Sequence, residues 1–119
     1  MKLKSIILPG LAILFSSSAV LAHSPMKSTS PANQAMLDAV PETLYLKFAK
    51  PSRVLKVVMT HSADDALHEE RLKLPTKKAV EDMQLTPEFK GSGEYKVEWR
   101  ALGEDGHVIK GDFTFDVVG

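Results

Sequence analysis

Three residues have the types and spacing to bind a metal ion together: His23, Asp105 and His107. If the chain is cut after Ala22, His23 becomes the first residue, and its α-amine and ring Nδ1 can close a chelate on one ion. Asp105 and His107 lie two positions apart, so in extended backbone both side chains point to the same side. Together these residues offer nitrogen donors and one carboxylate. Such a set in a tetragonal plane suits Cu(II), whereas Zn(II) would bind the same donors but prefers a tetrahedron.

Pro25, the third residue after that cut, restricts how the terminus can hold an ion. Proline has no backbone N–H, so the chain cannot wrap the metal with successive deprotonated amide nitrogens. The remaining ligands must come from elsewhere in the fold, and the site depends on folding to bring residues 23 and 105–107 together. Each part alone has an ordinary alternative: Asp-Gly is a common hairpin signal, and His107 could be a simple surface residue.

The first 22 residues have the pattern of a secretory leader. Lys2 and Lys4 precede an apolar run over 6–15, then small residues and Val20-Leu21-Ala22. This order predicts a cleaved signal peptide over 1–22 and a mature domain over 23–119. The alternative is an uncleaved N-terminal anchor, although the run is short for a stable membrane span. No second apolar stretch exists, so we expect no membrane insertion after the leader is removed.

Charge and cysteine content narrow the classes of function. The leader holds two of the fifteen basic residues and no acidic residue, so the mature chain has a net charge of −2. That balance gives no indication of nucleic-acid or anionic-lipid binding. The chain has no cysteine, so it has neither a disulfide nor a thiolate site. An export signal without disulfides fits a bacterial periplasm, and a secreted protein is the alternative.

Several short segments alternate apolar and polar residues, which predicts half-buried strands. The apolar positions are Leu44, Leu46 and Phe48; Leu55, Val57 and Met59; Tyr95, Val97, Trp99 and Ala101; Phe113, Phe115 and Val117. Turn formers separate them at Ser30-Pro31, Pro41, Lys50-Pro51, Gly91-Ser92-Gly93 and Asp105-Gly106. The pattern predicts an all-β domain, an antiparallel two-sheet sandwich or a barrel.

Two further segments complete this prediction. In the segment 67–85, Ala79, Val80 and Met83 fit either a short helical turn or a strand continuing to Leu85. Asp105-Gly106 predicts a hairpin connection between the last two strands, which places whatever it displays at one end of the domain.

The chain resembles the CopC family of periplasmic copper-resistance proteins over nearly all of residues 23–118. The resemblance rests on His23 at the cut, Ser28-Thr29-Ser30-Pro31-Ala32, Pro41 with Leu44-Tyr45-Leu46-Lys47-Phe48, Tyr95-Lys96-Val97-Glu98-Trp99-Arg100, Asp105-Gly106-His107 and Gly111-Asp112-Phe113-Thr114-Phe115-Asp116-Val117. It implies a small Greek-key β-sandwich or barrel of immunoglobulin-like type. It also implies Cu(II) bound by His23, Asp105 and His107, no enzyme activity, and a role in copper buffering, delivery or resistance. Family members are often linked to an inner-membrane partner, CopD.

Two positions depart from the family pattern. Some members have an acidic residue near the metal where this chain has Lys50, and a cation there cannot be a ligand. Some members also have a methionine-rich loop for Cu(I), but the comparable loop here offers only Met59, His61 and His68. We expect Met59 to lie in the core and the two histidines to be solvated loop residues, although they could form a weak second site. Thioethers select Cu(I), so we expect a protein that binds only Cu(II).

Two other functions compete with a copper carrier. A terminal His chelate with a second His is similar to the histidine brace of copper-dependent oxidative enzymes that act on polysaccharides. However, the mature chain is small for a flat polysaccharide-binding face, and an anionic ligand disfavours cycling to Cu(I). The other alternative is an immunoglobulin-like structural module without a metal, since sandwich domains have many such roles.

Overall fold

The computed structural model describes residues 25–119, and all regular structure within them is β-strand. The strands are β1 (Met26–Ser30), β2 (Ala35–Leu37), β3 (Leu44–Ala63), β4 (Ala66–Arg71), β5 (Ala79–Leu85), β6 (Gly93–Leu102) and β7 (Val108–Val117). His23 and the predicted leader lie outside the described residues. The described part of the chain contains no apolar helix long enough to cross a membrane.

Strand β3 organises the fold because its two halves pair with different neighbours. Its first half pairs with β1 and β5, and its second half pairs with β4 and β6. The sheet continues from β6 to β7 and then to β2, which pairs with β7 in parallel. The sheet therefore curls at β3 into two facing layers, which agrees with the predicted sandwich.

The interior is filled by the alternating apolar residues of these strands. Leu44, Leu46 and Phe48 from the first half of β3 are buried, as are the predicted inward residues of β6 and β7. The rings of Phe48 and Trp99 meet edge to face, with centroids 5.4 Å apart, so the two layers touch directly through the core. Burial of these aromatic and aliphatic side chains is the main favourable term in folding.

The prediction of two separate strands around Lys50-Pro51 was wrong, because β3 runs without interruption through both residues. Pro51 lies where the pairing of β3 with β5 shifts register, between Lys47 and Ser52. A proline is tolerated there because an irregular step in the ladder needs no N–H donor. The turn former marks the place where β3 leaves one layer for the other.

The inward alternation of Leu55, Val57 and Met59 holds only for the last two residues. Leu55 is exposed, whereas Val54 is buried. The pairing of β3 with β6 shifts register between Val54 and Lys56, and such a bulge inserts one extra residue. The extra residue reverses the inward and outward phase, which a period-two pattern cannot anticipate.

The ambiguous segment is a strand. Ala79–Leu85 forms β5, which pairs with the first half of β3 and buries Met83 and Leu85.

β3 and β4 form a hairpin whose two central residues, Asp64 and Asp65, both have positive φ. That backbone is the type I′ turn favoured between twisted strands.

Candidate metal centre

A tight loop between β6 and β7 carries the predicted Asp-Gly-His group. The strands pair up to Leu102 and Val108, and the Gly103 N–H then donates to the His107 carbonyl over 2.8 Å. Inside this closure the Gly106 N–H donates to the Gly103 carbonyl over 3.0 Å, and Gly106 has φ +88°. A turn followed by a residue with positive φ is a common three-residue hairpin connection, and glycine adopts that φ without steric cost. The predicted hairpin is confirmed.

The loop brings Asp105 and His107 into direct contact. The His107 main-chain N–H donates to Asp105 Oδ1 over 3.1 Å, and His107 Nδ1 lies 3.0 Å from Asp105 Oδ2. The ring of His107 is the first cause, and its main-chain N–H the second, that holds the pKa of the Asp105 carboxyl below its ordinary value. Both side chains are largely exposed, at 71% for Asp105 and 83% for His107. An ionised carboxylate and an imidazole are therefore held together at an open surface.

These contacts leave donor atoms free for a metal ion. With the proton of His107 on Nδ1, the lone pair of Nε2 is available, and a carboxylate orients the ring as in many metal sites. The Asp105 carboxylate lies at Nδ1, on the opposite side of the ring from Nε2, so both residues bind one ion only after the His107 ring turns relative to the carboxylate. Within residues 25–119 no group of three or more His, Asp or Glu side chains could hold a metal. Within this range the two residues of the loop have no third His, Asp or Glu side chain beside them.

Pro25, the first described residue after His23, contacts β3 a few residues away from the position where β3 pairs with the start of the loop. The Pro25 carbonyl accepts a hydrogen bond from the Ala49 N–H over 2.9 Å. Only four positions further along β3, Arg53 pairs with Leu102, the last residue of β6 before the loop. Two residue steps separate His23 from Pro25, so their α-carbons can lie no more than about 7 Å apart. Exposed Lys50 lies in this same stretch, where a cation would oppose a bound dication.

His61 and His68 lie far from this loop and differ from each other. His61 pairs with Tyr95, at the opposite end of β6 from Leu102, about 23 Å away at the usual rise per residue. The prediction that both are solvated loop residues was wrong for His61, which is only 5% exposed and lies within β3. His68 is its cross-strand partner on β4 and is exposed.

An aromatic cluster explains the burial of His61. Its ring lies 4.5 Å from that of Phe89 and 4.6 Å from that of Tyr95, measured between centroids, and its Nε2 is 2.7 Å from the Ser92 carbonyl oxygen. Its Nδ1 is buried without a hydrogen-bond partner among the described residues. His61 follows Met59 by two residues and therefore faces the same side of β3. Met59 was correctly predicted to lie in the core, so continuing the same alternation would have predicted the burial of His61.

The same end is fixed by hydrogen bonds to main-chain groups. Tyr95 Oη donates to the Gly91 carbonyl over 2.7 Å, and burial, with a smaller effect of Glu70, raises the pKa of this phenol. The carboxylate of Glu70 accepts from the N–H groups of Glu88 and Phe89 at 2.9 and 3.1 Å. These contacts secure the segment before β6 and have no evident part in metal binding.

Comparison with known proteins places the chain in a family. The sequence model of the CopC domain matches residues 26–118. The chain is 31% identical to copper resistance protein C of Escherichia coli, with 96% of this chain and 95% of that protein covered. It is 32% identical to protein YobA of Escherichia coli K12, with 90% of each covered.

Solved structures agree with this assignment. The crystal structure of PcoC, a copper resistance protein from Escherichia coli, matches with TM-score 0.61 and 28% identity over 78% of this chain and 98% of that one. CopC from Methylosinus trichosporium OB3b matches with TM-score 0.60 and 26% identity over 80% and 93%. The resemblance predicted from the sequence motifs is confirmed, and the chain belongs to the CopC family.

Proposed function

We propose that this protein binds Cu(II) in the bacterial periplasm and buffers or delivers it. The mature chain begins at His23 after removal of residues 1–22. The ion is held by the α-amine and Nδ1 of His23, by a ring nitrogen of His107 and by a carboxylate oxygen of Asp105. The family's link to copper resistance supports copper as the cargo.

The observation that carries this proposal is the paired Asp105 and His107 on one hairpin loop. Their contacts over 3.0 and 3.1 Å hold a carboxylate beside an imidazole at an exposed tip. The pairing of Arg53 with Leu102 before the loop, four positions along β3 from Ala49, which contacts Pro25, supports a role for His23 as a further ligand. A site built in this way forms only in the folded protein.

The donor chemistry favours Cu(II) over Cu(I). Two imidazoles, an amine and a carboxylate are borderline or hard donors, and Cu(I) selects soft thiolate and thioether ligands. Met59 cannot serve as such a ligand at the surface, since it is only 1% exposed. The carboxylate also stabilises the higher charge of Cu(II) and disfavours redox cycling, so we propose a carrier and not an oxidative enzyme. A CopD-like inner-membrane protein is the proposed recipient of the metal.

Copper titration of the mature protein, starting at His23, tests this function. We expect one tightly bound Cu(II) per chain and a weaker complex in the His107→Ala variant. His68→Ala is the matched control, because His68 is also an exposed histidine beside a hairpin but lies at the other end of the domain. Equal affinity of His107→Ala and the unaltered protein would refute the assignment of His107.

A further inference from the structure

Three cations form a row across three neighbouring strands on the outer face of the sheet. Lys56 on β3 pairs with Arg100 on β6, which in turn pairs with Lys110 on β7. Paired residues point to the same face of a sheet, and all three are exposed. Adjacent strands lie about 4.8 Å apart, so the row is about 10 Å long. We call Lys56, Arg100 and Lys110 the cationic row.

The cationic row is unusual because like charges directly opposite each other destabilise a sheet. None of its three residues forms an ion pair within residues 25–119, where the Lys and Arg ion pairs are Lys47 with Asp82 and Lys96 with Glu98. The first of these joins opposite charges at paired positions of β3 and β5, which is the favourable arrangement. The cationic row has the opposite arrangement and leaves its charges available to another molecule.

The row lies next to the proposed copper loop. The next outward-facing pair toward the loop is Leu102 with Val108, and Arg53 pairs with Leu102 from β3. Val108 is 55% exposed, and Arg53 is also exposed. Lys110 is three residues from His107, so their α-carbons lie within about 10 Å of each other. A positive patch of this kind is complementary to a negatively charged surface of another protein.

The surface also has a polarity that would orient such a partner. On the side of the row away from the copper loop lie Glu98 and Asp112, which are paired with each other. Between the cationic row and this acidic pair is a shallow open hollow of about 460 Å³, with Trp99 and Gly111 among its lining residues. A Cβ atom at Gly111 would lie 2.7 Å from Trp99 Cζ2, so the absence of a side chain there makes room for the indole ring of Trp99 beneath the hollow.

We propose that the cationic row docks an acidic surface of the protein that exchanges copper with this chain. Docking there seats the partner's carboxylates on Lys56, Arg100 and Lys110 and brings its own metal ligands to the 103–107 loop. The identity of the partner as a copper-exchanging protein rests on the proposed function, whereas docking of an acidic surface on the row does not require copper. Long-range attraction between the two charged surfaces would raise the rate of encounter, and salt would weaken it.

The test uses metal-free protein and a blocked hexaglutamate peptide, followed by amide chemical shifts in NMR titrations. We expect shifts concentrated around the cationic row. The variant Lys56→Gln, Arg100→Gln, Lys110→Gln should bind the peptide roughly 10-fold more weakly at low salt. The control Lys73→Gln, Lys77→Gln, Lys90→Gln removes the same charge from exposed positions elsewhere and should bind within about 2-fold of the unaltered protein. Thermal unfolding checks that both variants remain folded.

Three outcomes would overturn the proposal. Equal weakening by the two triple variants would mean unspecific charge attraction, and an absence of localised shifts would mean no docking. Binding of phosphatidylglycerol vesicles that depends on the row, without binding of the peptide, would assign the face to a membrane surface instead. Since copper is absent throughout, failure here leaves the copper titrations untouched, and failure of copper binding leaves this result interpretable.

Discussion

Replacing Asp105 with asparagine should weaken Cu(II) binding while leaving the fold intact. The substitution keeps the shape of the side chain and removes its charge. In the metal-free loop the carboxylate accepts from the His107 N–H at 3.1 Å and contacts the His107 ring at 3.0 Å, so the proposed ligand Asp105 also positions His107 before the ion binds. Loss of a carboxylate that orients a metal-binding histidine typically reduces affinity 10- to 100-fold, and we expect a loss of roughly that size or more.

The matched control for Asp105→Asn is Glu104→Gln. Glu104 is the preceding residue, is also exposed, and makes no hydrogen bond or ion pair to His107. Both variants change the net charge by the same amount. Competition titrations against a chelator of known Cu(II) affinity should therefore separate them by about an order of magnitude. Equal affinities for the two variants, whether reduced or not, would refute the specific role of the Asp105 carboxylate.

Three further predictions follow from the contacts at the two ends of the domain. Cu(II) affinity should fall steadily below about pH 6 in titrations from pH 8 to 5, because the imidazoles and the α-amine must lose protons to bind. Since the pKa of Asp105 is lowered, its carboxyl stays ionised throughout this range and is protonated only at more acidic pH, so a flat profile would contradict the nitrogen donors and not Asp105. The double variant His61→Gln, His68→Ala should keep Cu(II) affinity within about 2-fold, because His61 lies about 23 Å from the 103–107 loop. A larger loss would assign the copper site to the end of the domain that carries His61 and His68. Tyr95→Phe should reduce the free energy of unfolding by about 1 kcal/mol in denaturant titrations, because it leaves the Gly91 carbonyl without its 2.7 Å partner, and an unchanged midpoint would contradict that role.

The strands that a local pattern could predict are those whose alternation is unbroken. The predicted apolar positions of β6 and β7 all face the core, since these two strands pair with each other without a shift of register and the extra residue in the pairing with β6 lies on β3. The alternation fails at Leu55 because one bulged residue reverses the phase. The full length of β3 could not be predicted from local sequence either. Pro51 is locally a turn former, and only the irregular pairing of β3 with β5 accommodates it within the strand.

The candidate site was partly predictable for a similar reason. Asp105-Gly106-His107 is a local motif, and the loop closes through hydrogen bonds among its own residues, so its geometry follows from nearby sequence. The burial of His61 depends on Phe89 and Tyr95, which are distant in the chain and come together only through the pairing of β3 with β6. Likewise the cationic row exists only in the register of three strands, and no local pattern could have predicted it.

The most direct test of the account compares two forms of the mature protein, one that begins at His23 and one with a single glycine before it. The extension keeps every side chain and converts the terminal amine into an amide, which removes one proposed donor. We predict that Cu(II) binding weakens sharply and that the nitrogen hyperfine pattern in the EPR spectrum changes. Equal affinity and identical spectra for both forms would mean that the metal is held elsewhere and would contradict the proposed terminal chelate.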